Sequence, residues 1–193
     1  MGKIYYVMGK SCSGKDTIYK RLRKRHPDFR TIVPYTTRPI REGEREGVEY
    51  FFVGPEQLDK MQEAGKIIEM RSYDTKCGIW TYFTADDGQI DLMRYDYLVI
   101  GTLVSYQALK EYFGSDALVP IYIEVEDGTR LERAIGRERE QAVPQYEEMC
   151  RRFLADAEDF SEKNLREAGI SKRFENVQLG KCLDEIEAYI GEI

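Results

Sequence analysis

Near its start the chain runs from a strand-like stretch at residues 3–8, through Gly9-Lys10-Ser11-Cys12-Ser13-Gly14-Lys15-Asp16-Thr17, into a helix-like stretch at residues 15–25. Glycines at both ends of the loop let the backbone turn so that successive N–H groups point inward at an anion. A helix beginning at Lys15 aims its N-terminal dipole at the same point. Lys15 adds a mobile cation that can reach the outer phosphates of a nucleotide. Gly9, Gly14 and Lys15 at this spacing, after a strand and before a helix, form a phosphate-binding P-loop. One position departs from the common pattern. The residue after the lysine is ordinarily Ser or Thr, whose hydroxyl meets Mg²⁺; here it is Asp16, with Thr17 following. A carboxylate is a hard oxygen ligand and can hold Mg²⁺. Without a metal between them, it stands unfavourably close to phosphate.

Strand and helix signals then alternate, as in βαβ units with a parallel sheet. The 15–25 helix carries Ile18 and Leu22 four apart and ends before Pro27. A short strand is expected at 29–33, and single His26 reads as a surface residue at the helix end. The region 34–85 differs. It holds β-forming runs at 48–53, 67–73 and 79–84, with a short helix opened by Gly54-Pro55, so it reads as an antiparallel or mixed insertion. The alternation resumes with a buried strand at 96–102, a helix at 104–113 closed by Gly114, a strand at 118–125 and a helix at 129–139. Pro144 suits a helix start. Tyr146, Met149, Cys150, Phe153, Leu154 and Ala157 follow at helical spacing and read as a core stripe. A strand at 174–177 and a helix at 179–190 finish the pattern. The expected organisation is one three-layer α/β domain, with core segments 1–33 and 86–193 and an insertion at 34–85.

With 193 residues, 42% hydrophobic and 33% charged, the chain can bury one α/β core. Its net charge of −6 weighs against general nucleic-acid binding. No apolar run reaches the ~20 residues of a membrane span, and the start reads as a strand rather than a secretory signal, so the expected location is the cytoplasm. The cysteines at 12, 77, 150 and 182 are scattered without a C-x-x-C pair and read as reduced thiols.

A second motif carries a resemblance. Thr36-Thr37-Arg38-Pro39-Ile40-Arg41-Glu42-Gly43-Glu44, followed by Glu46-Gly47-Val48-Glu49-Tyr50-Phe51-Phe52, is similar to the acceptor-binding segment of guanylate kinases, T-T-R-x-x-R-x-G-E and then G-x-[DE]-Y-x-F. The likeness extends through the P-loop, the insertion at 34–85, which it implies is an acceptor-binding subdomain, an arginine-rich lid at about 135–150 and the last strand and helix. It implies a kinase that moves the terminal phosphate of ATP, with Mg²⁺, onto GMP. Arg38, Arg41 and Tyr50 would hold the acceptor phosphate, two guanidinium forks and a phenol suiting a dianion. Glu69 would accept from guanine N1 and N2, Tyr82 would touch the phosphate and Thr84 the guanine O6. Residues 9–17 would hold ATP, with Asp16 at the metal. Two lid arginines, best matched by Arg137 and Arg152 with Arg139 and Arg151 as rivals, would join Lys15 on the transferring phosphoryl group, where charge develops. Three departures stand against the family pattern: Phe83 replaces a glycine, Pro34 a serine, and Gly101 the aspartate of a strand end. The last, beside the gained Asp16, reads as a metal-site carboxylate that has moved. Two alternatives remain: a kinase for another small phosphorylated acceptor, and a non-catalytic binding module of the same fold.

Overall fold

The computed structural model describes residues 1–75 and 78–193; Cys77 lies outside them. In chain order the elements are β1 (Ile4–Met8), α1 (Lys15–Arg25), β2 (Tyr35–Thr36), β3 (Phe51–Phe52), α2 (Pro55–Glu63), β4 (Ile67–Thr75) and β5 (Gly78–Ala85). They continue with β6 (Tyr97–Ile100), α3 (Leu103–Phe113), β7 (Leu118–Glu124), α4 (Asp127–Arg139), α5 (Tyr146–Asp159), α6 (Glu162–Glu167), β8 (Arg173–Glu175) and α7 (Leu179–Gly191).

The strands form two sheets. The first has the order β6-β1-β7-β8, and every neighbouring pair is parallel. Its strands are buried on both faces, so they read as nearly continuous apolar runs. Alternate residues serve opposite layers. Ile4, Tyr6 and Met8 join Tyr97, Val99 and the α3 residues Leu103, Tyr106 and Leu109 on one side. Tyr5 and Val7 join Ile18 and Leu22 of α1 and Cys182, Leu183 and Ile186 of α7 on the other. Helices on both faces of a parallel sheet make the expected three layers. Local chemistry sets the helix ends. Thr102 caps α3 by accepting from the Ser105 N–H, and Gly114 closes it at φ 88°. The Glu126 carboxylate caps α4 by accepting from the Gly128 and Thr129 N–H groups.

The second sheet has the order β3-β2-β5-β4, with β2 and β3 parallel and the other pairs antiparallel. Tyr35, Phe83 and Ala85 form its small core, covered by Leu58 and Met61 of α2. Phe83, at the family's glycine position, is fully buried there, so its ring builds this core.

Several expectations need correcting. Residues 29–33 do not form a strand. Only Arg30 pairs with Tyr97, and by Val33 the backbone hydrogen-bonds to the Gln89 side chain, as the chain leaves one sheet for the other. The β run at 48–53 is cut to Phe51–Phe52, because Val48 closes a turn onto Arg45 and Gly47 adopts φ 72°. The stripe on α5 is not core. Met149 is buried and Phe153 half-buried, while Tyr146, Cys150 and Leu154 are exposed, since α5 rests one edge on α4 and the P-loop and turns its other flank away from them. Helix α6, capped by Ser161, is unanticipated. His26 is half-buried rather than free at the surface: it stacks on Phe29 and hydrogen-bonds Glu187 of α7 at 2.7 Å. Cys12, Cys150 and Cys182 are free thiols. Among the described residues no helix is long and apolar enough to cross a membrane.

Candidate active site

The loop between β1 and α1 is held in place from outside. At Gly9 a Cβ would lie 2.5 Å from the Ile123 carbonyl oxygen, so only glycine fits between loop and sheet. Gly14 combines φ 87° with an Asn176 side-chain nitrogen 2.3 Å from where a Cβ would stand. Asn176 uses that contact to donate to the Ser13 carbonyl at 2.8 Å. Arg130, 1% exposed, donates from Nε to the Ser11 carbonyl at 3.0 Å and from its terminal nitrogens to Asp127 and Asp156. Asp156 in turn accepts the Ser11 N–H at 2.7 Å. Arg133 donates to the carbonyls of Cys12 and Asn176. Burial pushes the Asp127 carboxyl up, but Arg130 and Lys10 outweigh it and hold the group below its ordinary range. Asp127, Arg130, Arg133, Asp156 and Asn176 thus brace the cradle. Sequence reading missed Asp127, Arg130, Asp156 and Asn176; Arg133 is legible in it only as the residue four before Arg137 on one helical face.

Four of the sequence-derived cradle residues share one space. A cavity of about 420 Å³ is walled by Cys12, Gly14, Asp16, Thr17, Arg133, Arg137 and Asn176. The Lys15 ammonium lies 4.0 Å from the Asp16 carboxylate, which is 78% exposed. Arg137 and Arg152 both border a crevice beside Ser11 and Cys12. Arg152 pairs with Glu148 at 3.3 Å. Of the rivals, Arg151 makes a two-pronged bond to Glu148 and borders a different cavity, and Arg139 is exposed at the end of α4.

That different cavity, about 850 Å³, lies between the second sheet and α5 and is lined by Tyr50, Arg71, Ser72, Tyr73, Trp80, Tyr82, Glu148 and Arg151 among others. Arg38 is 4% exposed, forks onto Glu44 and lies 5.0 Å over the Tyr50 ring. The Arg38 hydrogen bond holds the Glu44 carboxyl down at about 2. Arg41 lies 5.8 Å over the Trp80 ring, and its N–H also goes to Glu44. Tyr82 meets Tyr50 edge-on. Glu69 and Thr84 are buried at the far end, where the Thr84 hydroxyl donates to Glu69 at 3.0 Å. Arg71, which sequence reading passed over, also binds Glu69. Its signal was available, because residues two apart on a strand share a face.

A third cavity, about 370 Å³, connects the two regions. Asp16 of the cradle and Tyr50 of the acceptor segment are both in its wall. The loop at the end of the parallel sheet thus faces a smaller sheet that carries Arg38 and Tyr50, an arrangement of a P-loop α/β fold with a second candidate pocket.

The chain is similar to proteins of the guanylate kinase family. The family model "Guanylate kinase" matches residues 1–78. The guanylate kinase of Corynebacterium diphtheriae is 42% identical over 69 residues, 36% of each chain, and that of Frankia casuarinae is 48% identical over 63 residues, 33% of this chain and 34% of that one. These matches span about a third of the relatives' length. The guanylate kinase of Parasynechococcus marenigrum aligns along 96% of this chain and 93% of its own length at 27% identity. In three dimensions the chain is similar to the guanylate kinase of Anaplasma phagocytophilum, with a TM-score of 0.64 over 99% of this chain and 85% of that one at 22% identity, a likeness of fold.

Proposed function

We propose that this protein is a guanylate kinase that transfers the terminal phosphate of ATP to GMP in the cytoplasm. The observation that carries the reading is the shared cavity, in which Asp16 of the cradle and Tyr50 of the acceptor segment stand in one wall. A donor phosphate on the loop and an acceptor phosphate near Arg38, Arg41, Tyr50 and Tyr82 would approach each other across it. Residues 9–17 would bind ATP through inward N–H groups and Lys15. The base end of GMP would lie toward Glu69, Thr84 and Arg71. The residues matched by the family model include the T-T-R and E-Y-F-F motifs, and the relatives' names support the same acceptor.

Arg137, Arg152 and Lys15 would neutralise charge on the transferring group, and α5 would close over it and exclude water. Phosphoryl transfer needs positioning and charge more than a strong base, in keeping with a site free of histidine. Mg²⁺ fits the donor set. Asp16 is an exposed carboxylate at the cradle with the Thr17 hydroxyl beside it, and Mg²⁺ on nucleotide phosphates needs only one or two carboxylates. When bound, the ion would shield the phosphates from Asp16 and from each other. A coupled assay of ADP release with GMP, dGMP, AMP, CMP and UMP tests the proposal. GMP or dGMP is expected to be used best, and equal or better use of AMP would sink the guanine assignment.

A further inference from the structure

Glu69 is the carboxylate that the family likeness offers to guanine, yet both of its oxygens are already engaged. Oε2 accepts from Arg71 Nε at 3.0 Å, and Oε1 accepts from Arg71 Nη2 at 3.3 Å and from the Thr84 hydroxyl at 3.0 Å. The Glu69 side chain is 3% exposed and does not line the large cavity, whereas Arg71 does. Strand β4 puts both residues on one face, and the guanidinium fronts the open space with the carboxylate behind it. Arg71 gives Glu69 the same two-donor pattern that guanine N1–H and N2–H would give. Guanine could reach Glu69 only by displacing a buried ion pair, which leaves a charge uncompensated.

The guanidinium has donors to spare. Of its five N–H groups, Nε–H and one on Nη2 go to Glu69, and one on Nη1 goes to the Thr102 hydroxyl at 2.9 Å. One N–H on each terminal nitrogen is left, the pair an arginine uses to read two adjacent acceptors. Guanine carries such a pair at O6 and N7, and arginine binds it bidentately. Adenine puts an amino donor in place of O6, so one arginine N–H would face another donor.

Resting on the acceptor reading above, we propose that Arg71 is the residue that recognises the acceptor base, through its O6/N7 edge, and that Glu69 and Thr102 are positioning residues that aim the guanidinium. The two ways of reading guanine rank its analogues in opposite orders. IMP keeps O6 and N7 and lacks only the 2-amino group, so Arg71 accepts it. A GMP with carbon in place of N7 (7-deaza-GMP) keeps both donors that a free Glu69 would use, but loses half of what Arg71 reads.

Calorimetric binding of GMP, IMP and 7-deaza-GMP to the unaltered chain tests this without any variant. IMP is expected within about 3-fold of GMP, and 7-deaza-GMP about 10-fold weaker or more. Arg71→Lys keeps the charge without the fork and is expected to bring 7-deaza-GMP to within about 3-fold of GMP. Glu69→Gln loosens the fork and is expected to lower the same ratio. A uniform loss for all three ligands, with the ratio unmoved, would overturn the positioning role. The reverse order on the unaltered chain, with IMP about 10-fold weaker and 7-deaza-GMP equal to GMP, would overturn Arg71 as the reader. So would full discrimination retained by Arg71→Lys. If GMP binds and is phosphorylated in either of those cases, the acceptor reading survives and only the role of Arg71 falls. If GMP does not bind at all, both fall.

Discussion

Gly101 shows how one residue fixes the choice at another. The sequence suggests a lost carboxylate there, compensated by Asp16. The structure adds a steric reason for glycine, because a Cβ at 101 would stand 2.0 Å from the Tyr6 hydroxyl. Tyr6 is 1% exposed, and burial pushes its phenol well above the ordinary range. Gly101→Asp is therefore expected to destabilise the fold by about 1–3 kcal/mol, the scale of overpacking a core. Tyr6→Leu in the same chain should return part of that loss, a coupling that a double-mutant cycle in urea unfolding reads directly. Purely additive losses would show that Tyr6 is not what excludes a side chain. A second residue-scale prediction concerns pH. Glu44 titrates near 2 in the folded chain and, like other glutamates, near ~4.3 unfolded. Its folded pKa is depressed, so the stability it contributes is fully present above the unfolded value and is lost as pH falls through about 2. A carboxyl NMR titration should find this low value and see it rise in Arg38→Lys, because a lysine cannot replace the fork. An unmoved titration would mean that the backbone N–H of Arg41, not the guanidinium, holds Glu44.

Helix α5 marks where reading the sequence succeeds and where it stops. Its existence and position follow from spacing and a proline at its start, and α1, α2, α3, α7 and the β-rich stretches of β4 and β5 follow in the same way from local pattern and turn residues. Its environment does not follow, since a stripe at 3.6-residue spacing looks the same on a core helix and on one that covers a cleft. Met149 →Ala should thus cost about 2–5 kcal/mol, as for a buried side chain. Leu154→Ser, on the bare flank, should stay within about 0.5 kcal/mol. Thermal unfolding of the two variants separates them, and equal losses would put Leu154 back in a core. The site divides in the same way. Gly9, Gly14, Lys15, Arg38 and Tyr50 were legible because their chemistry is local or bound to a motif. Arg130, Asp156 and Asn176 were not, because each works through a partner far along the chain; Asn176 and Ser13 are 163 positions apart. The strand expected at 29–33 failed for a related reason. Its residues suit a sheet, but the chain must cross there between two sheets.

The two proposed substrate sites are parts of one molecule, and α5 touches both. Asp156 holds the Ser11 N–H of the cradle, while Glu148 and Arg151 stand in the wall of the acceptor cavity. At 1.5 Å per residue, Asp156 and Glu148 are about 12 Å apart along one stiff helix. A ligand that draws Glu148 and Arg151 toward the second sheet therefore pulls on the loop that binds the other ligand. Each ligand alone stabilises the fold by RT ln(1 + [L]/Kd), and for independent sites the two stabilisations add. With GMP and a non-hydrolysable ATP analogue together, the gain is expected to exceed the sum by about 1 kcal/mol or more, the usual scale of coupling between sites. Thermal unfolding with each ligand and with both measures the excess. Asp156→Ala cuts the link from α5 to the cradle, so it should lower the ATP-analogue shift, leave the GMP shift largely in place and remove the excess over the sum of the variant's own two shifts. If the unaltered chain gives a simple sum, the sites are independent and α5 is a cover rather than a lever. If Asp156→Ala keeps the excess, the coupling runs instead through the wall shared by Asp16 and Tyr50.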